Sequence, residues 1–177
     1  GLYAFIEKYL GVDPFWYWSS RPPKKRATLA WDSVKINSGE PTFKFRGWFI
    51  NDEDLLTEFR DGGGQRRINY RYYHQVVAPR VSARVFEAAL RLQFNTIIPA
   101  SFVDLRNPAE ARLIEDAVRR GLFVTMHHVE PMGVSAFGFD NYWKDRGMTV
   151  PFQFTQHADK FYEIWRDYAC LLYTSDA

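Results

Sequence analysis

At 177 residues, with 46% apolar and 25% charged side chains, the chain has globular composition but falls short of the roughly 250 residues of a closed eightfold α/β barrel. Its 23 basic and 21 acidic residues are scattered and leave a formal charge of +2, so no like-charge block marks a nucleic-acid or lipid surface. No apolar run approaches the roughly 20 residues of a membrane helix.

The chain starts at Gly1 without a basic-then-apolar leader, so any export signal is expected upstream. Residues 2–10 have the spacing of a short helix closed by Gly11, and the aromatic run Phe15-Trp16-Tyr17-Trp18 follows. Residues 1–18 read as the end of an N-terminal α+β domain. Residues 19–42 combine Pro22, Pro23, Lys24-Lys25-Arg26 and Gly39 around a brief apolar patch, the composition of a linker with at most one strand.

From residue 43 the pattern turns to alternating strands and helices. Phe43, Phe45, Trp48, Phe49 and Ile50 suit a strand, and Asn51-Asp52-Glu53-Asp54 stand at its carboxyl end, with a helix start near Leu55. Gly62-Gly63-Gly64 marks a flexible loop; Arg66 and Arg67 lie beside it, but no Lys-Ser/Thr follows, which disfavours a phosphate cradle. Pro79 opens a helix with Val81, Val85, Ala88, Ala89 and Leu92 on one face and Glu87 and Arg91 paired at i, i+4. A buried strand over 95–98 follows. Asn107, Pro108 and Glu110 then make a capping box, and the helix they open buries Leu113, Ile114, Ala117 and Val118 before Gly121 ends it. Residues 122–126 form the third strand and run into His127-His128-Val129-Glu130-Pro131. A last helix covers about 159–168, with Phe161, Ile164, Trp165 and Tyr168 on one face.

The single cysteine, Cys170, opens a tail that breaks the pattern of that helix. Its residues Leu171 to Ser175 translate CTC TTA TAC ACA TCT, a sequencing-adapter end, so 170–177 are expected to be read-through rather than natural sequence.

Strand, helix, strand, helix, strand, helix with short connections is the signature of right-handed βαβ units and a parallel sheet. A doubly wound sheet and a (β/α)₈ barrel both fit, and both bind ligands beyond the carboxyl ends of their strands. That is where the polar clusters fall. Three carboxylates after the first strand, with Glu130 beside two imidazoles after the third, suit a reaction run by paired carboxyl groups. The same residues also fit three other roles: an acidic helix cap, core-satisfied histidines, and a metal site in which His127, His128 and Glu130 act as ligands. For the metal site no H-E-x-x-H is present, and His74 and His157 are badly placed to help. The aromatic share of 18% suits either a bulky core or sugar platforms, and Trp143, in the Gly- and Phe-rich stretch 133–147, fits both.

With these residues in place the sequence resembles the xylan α-1,2-glucuronidases of glycoside hydrolase family 115, from Leu2 to about Tyr168. The resemblance rests on Tyr3-Ala4 leading to Leu10-Gly11-Val12, Phe49-Ile50-Asn51-Asp52-Glu53, Phe86-Glu87 with Leu90-Arg91-Leu92, Ile97-Ile98-Pro99-Ala100, and His127-His128-Val129-Glu130-Pro131. It departs at Asp54-Leu55-Leu56, where many members have Ala-Pro, and at Ser101-Phe102-Val103, where many continue with a Trp-containing motif.

The resemblance implies that residues 43–169 are the first three units of a (β/α)₈ TIM-type barrel, too few for activity alone. It also implies a metal-independent, inverting removal of (4-O-methyl)glucuronic acid, with no cofactor. The expected partner is plant cell-wall glucuronoxylan, and neither nucleic acid nor membrane is expected. The setting is secreted or periplasmic, and a homodimer of the full-length enzyme is compatible with it. Asp52 and Glu130 are the expected catalytic carboxyls. Arg46, Asn51, Glu53, His127, His128 and Trp143 are the expected substrate contacts. The rival readings are a metal-dependent barrel hydrolase and a noncatalytic carbohydrate-binding domain.

Overall fold

The computed structural model describes residues 1–59, 62–68, 70 and 74–174. Its centre is a parallel sheet of β1 (Gly47–Phe49), β4 (Thr96–Ile98) and β5 (Phe123–Val124), in the spatial order β1-β4-β5. Gly47 pairs with Thr96 and Thr96 with Phe123, so the three carboxyl ends lie side by side. The crossover from β1 to β4 runs through α2 (Glu53–Phe59), an antiparallel pair β2 (Gly64–Gln65) and β3 (Gln75–Val76), and α3 (Pro79–Arg91). The crossover from β4 to β5 is α4 (Pro108–Arg119). After β5 come a 3₁₀ turn (Pro131–Gly133), α5 (Ala136–Lys144) and α6 (Ala158–Thr174). The fold is thus α/β with a parallel sheet, as the alternating pattern implied.

The expected strands are longer than those that form. Residues 43–45 stay outside the ladder: Phe43 and Phe45 are exposed, and no described strand offers them hydrogen bonds. Strand length here is set by the partner, and β4 has only three residues to share.

Helix α1 (Leu2–Leu10) ends as its sequence dictates. Gly11 adopts φ 67°, and the N–H groups of Gly11 and Val12 return to the carbonyls of Glu7 and Ile6. The helix is tied to α3 by Arg91, whose side chain is almost wholly buried. Its Nε donates to Glu7 Oε1 at 2.9 Å, its Nη1 to Glu87 Oε1 at 3.4 Å, and its Nη2 to the Val12 carbonyl. The expected Glu87–Arg91 pair is therefore one arm of a larger clamp.

Two clusters fill the core. One packs Ile50 and Ile97 of the sheet against Val85 and Phe86 of α3 and Ala117 of α4. The other is built by helices, with Phe139, Tyr142, Trp143, Phe161, Ile164 and Tyr168 meeting Val81, Val103, Leu113 and Ile114. Helix α6 runs on from the expected 159–168 through Thr174, and residues 175–177 of the expected tail lie outside the described residues. No described helix is long and apolar enough to cross a membrane.

Candidate active site

The chain turns straight from β1 into α2, and this decides which of the adjacent acidic side chains goes inside. Asn51 and Asp52 sit exposed in the connection, Asp54 is half-buried, and Glu53, the first residue of α2, is 2% exposed. Asn51 and Asp52 border a cavity of about 330 Å³ whose other walls are mostly apolar, among them Phe15, Trp18, Trp48 and Val85.

Glu53 points behind the strand ends. Its Oε1 accepts from Ser101 N at 2.9 Å and from Arg66 Nη1 at 3.3 Å. Arg66 is buried too: its Nε donates to Glu110 Oε1 at 3.0 Å, and its Nη2 reaches the carbonyls of Ser101 and Phe102. Burial pushes Glu53 up to about 7, the neighbouring N–H groups and Arg66 notwithstanding, and raises Glu110 for the same reason. Glu110 does not close the expected capping box. Asn107 caps α4 by accepting from Ala109 N, while Glu110 turns to Arg66 and accepts from Asn107 Nδ2 at 2.8 Å. A buried guanidinium takes the place of the Asn107 backbone N–H for this carboxylate, because the charge-assisted bond is the stronger one, and that N–H donates to the Asp104 carbonyl instead.

The third strand ends in the remaining candidates. Glu130 is 2% exposed, and its Oε2 accepts from His127 N at 3.1 Å. The N–H groups of Phe102 and Val103 and the Arg66 guanidinium also lower its pKa, yet desolvation prevails and pushes it up to about 7. Its Oε1 is buried without a hydrogen-bond partner among the described residues. The His127 ring lies 4.8 Å from Phe49, 4.2 Å from His128 and 6.2 Å from Phe102; burial, then the His128 charge, lowers its pKa, which favours the neutral imidazole. Two non-glycine residues of this face, Phe102 and Met132, both hold φ 57°, the kind of backbone strain that collects at functional sites.

Of the expected site residues, the structure gathers His127, His128 and Glu130 beside Phe49 and Phe102. Glu53 joins them from behind through Ser101 and Arg66, while Asn51 and Asp52 stand at the open end of β1. Two of the expected contacts lie apart from this group. Arg46 lies at the opposite, amino-terminal end of β1, where it donates to the carbonyls of Gln93, Phe43 and Lys44. Trp143 is fully buried in α5 between Phe139 and Tyr142 under Lys160, where helical packing claims the ring.

Sequence reasoning missed Arg66, Phe102 and the second role of Glu110. The glycine triplet was the available signal for Arg66. It is packed rather than loose: a Cβ on Gly63 would stand 2.5 Å from the Val77 carbonyl, and Gly64, at φ 141°, abuts Ala109. These glycines let the β2–β3 pair press against α4 and carry Arg66 inward. Among the described residues, no group of three or more His, Cys, Asp or Glu is placed to hold a metal ion.

Parallel strands, covering helices and a cluster of carboxyls and imidazoles at the strand carboxyl ends define an α/β protein whose candidate site lies on the C-terminal face of the sheet. Residues 38–171 match the model of glycosyl hydrolase family 115, and the chain belongs to that family. Among solved structures it is similar to BtGH115A, described as a family GH115 4-O-methyl-alpha-glucuronidase with specificity for decorated arabinogalactans. The identity is 29% and the TM-score 0.63, over 92% of this chain and 21% of that one. The chain thus spans about a fifth of the structure it matches. No curated protein sequence matches it.

Proposed function

We propose that the protein carrying this segment is an inverting α-glucuronidase that removes (4-O-methyl)glucuronic acid from a plant cell-wall polysaccharide, and that residues 43–169 are the opening units of its (β/α)₈ barrel. Export to the periplasm or medium follows from a polymeric substrate outside the cell. The observation that carries the reading is Glu130: in a chain of this family, a carboxyl at a strand's carboxyl end, beside His127 and His128, is pushed up to about 7 by burial. Such a group holds a proton near neutral pH, which departure of a glycosidic oxygen requires. In this reading Asp52, exposed at the end of β1, activates water, while Asn51, His127 and His128 bind the uronate. An inverting pair stands about 6.5–9.5 Å apart with water between its members.

Two substrates compete. Glucuronoxylan fits the sequence resemblance, and decorated arabinogalactan is what the solved neighbour is described as cleaving. The full-length protein should release (4-O-methyl)glucuronic acid from one of them with inverted anomeric configuration, seen by proton NMR in the first minutes. It should keep its activity in excess EDTA. Glu130→Gln should lower kcat by at least about tenfold, and Asp52→Ala should cost far more than Asp54→Ala. A retained anomer removes the inverting mechanism. Wild-type kinetics in Glu130→Gln remove Glu130 from the chemistry.

A further inference from the structure

Arg66 comes from the crossover between β1 and β4, not from an end of the parallel sheet, yet it ties together segments that follow two of that sheet's strands. Its planar fork meets four acceptors on three separate segments: Glu53 Oε1 at the start of α2, the Ser101 and Phe102 carbonyls after β4, and Glu110 Oε1 in α4. A buried arginine surrounded only by carboxylates would be a matter of stability. The two carbonyls are what distinguish this one. Phe102 holds φ 57°, where L residues rarely stay unless neighbours fix them, and Arg66 Nη2 donates to its oxygen at 2.9 Å. That conformation places the Phe102 ring against His127 and Phe137, with centroid distances of 6.2 Å and 5.4 Å. His127 in turn donates its backbone N–H to Glu130 Oε2 at 3.1 Å.

We propose that Arg66 is a positioning residue: it locks Phe102 in the left-handed conformation and so sets the ring that packs on His127, the residue whose N–H donates to Glu130. The proposal rests on the α-glucuronidase reading for its catalytic consequence but not for its structural one. Lysine would supply the charge without the fork, and could not reach all four acceptors at once.

The test uses the full-length protein, a xylo-oligosaccharide bearing 4-O-methylglucuronic acid, and the variants Arg66→Lys and Arg66→Met. Arg67→Lys serves as a control, since Arg67 pairs only with the exposed Asp145 among the ion pairs described. Arg66→Lys should melt cooperatively and lose between about tenfold and a hundredfold in kcat with KM nearly unchanged, because small displacements of a reacting group cost rate before affinity. Arg67→Lys should match the wild type. A lower melting temperature in Arg66→Lys with wild-type kcat and KM would make Arg66 merely structural and overturn the proposal.

If the wild type does not cleave the oligosaccharide, the functional reading fails for that substrate, and crystal structures decide the inference on their own. Phe102 returned to negative φ with its ring off His127 in the variant supports it; Phe102 unchanged in Arg66→Lys and Arg66→Met overturns it. Should Arg66→Met fail to fold, Arg66→Lys carries both readouts.

Discussion

Glu53, Glu110 and Glu130 come from three different βα units; Arg66 pairs with the first two and acts on Glu130 only through its field, so a single buried positive charge is set against three carboxyls. Desolvation therefore wins at each of them, and Glu53 and Glu130 are both pushed up to about 7. The consequence for stability follows from linkage. A carboxyl whose folded pKa lies above its unfolded value of about 4.3 binds more protons in the folded state between those limits. Its contribution is present in full below the unfolded value and is lost as pH rises through about 7. Stability should thus fall by a few kcal/mol between about pH 4.5 and pH 8, the reverse of a protein governed by surface carboxylates. Glu53→Gln and Glu130→Gln should each flatten that slope in denaturant titrations at several pH values. A rise in stability from pH 5 to pH 8 in the wild type would sink the argument. Sequence alone placed Glu130 and the histidines at a strand end, since that needs only the strand. It did not show which of Asp52, Glu53 and Asp54 turns inward, because that depends on the residue at which β1 gives way to α2. Arg66 escaped because its partners lie 13 to 44 residues away, beyond any periodic signal.

At the scale of elements, α3 and α4 were readable because each starts at Pro and repeats apolar residues at helical spacing. Helix α5 was not. Its sequence, Ala136 to Lys144, carries a glycine and four aromatics, poor helix formers that tertiary packing makes helical by burying Phe139, Tyr142 and Trp143. The overlooked start signal was Ser135, whose Oγ accepts from Gly138 N at 3.1 Å. The pairing of α1 with α3 was likewise only half visible: Glu87 was an expected partner of Arg91, and Glu7 was not. Arg91 has a side chain 1% exposed against 29% for Glu7, so the arginine is the costly end to lose. Arg91→Ala should cost roughly 3 kcal/mol, through lost charged hydrogen bonds and a cavity under α1, and Glu7→Gln about 1 kcal/mol or less. In the full-length protein, limited proteolysis within residues 11–42 should accelerate in Arg91→Ala. Equal denaturation midpoints for Arg91→Ala and wild type would show that α1 docks by its apolar face alone.

For the whole molecule, the decisive feature is the openness of the sheet. Among the described residues, β1 and β5 each pair on one side only, and Phe45 and Phe123, which meet edge to face at 5.4 Å, remain more than half exposed. Unpaired edges and bare aromatics invite association between copies. The proposed barrel would cover them with its remaining units, and the strand ends of those units would supply the rest of the cleft proposed for Asp52 and Glu130. Cleaving a glucuronoside takes two carboxyls on opposite sides of one bond and a closed pocket for the uronate, and one face of a three-stranded sheet encloses neither. The 177-residue chain, purified alone, should therefore show no release of glucuronic acid from glucuronoxylan or decorated arabinogalactan, under conditions where the full-length protein turns over either. It should also associate as its concentration rises, which sedimentation would record. Turnover by the isolated chain would mean that the chemistry lies entirely within these three βα units, and the barrel would then be scaffolding for a site already complete.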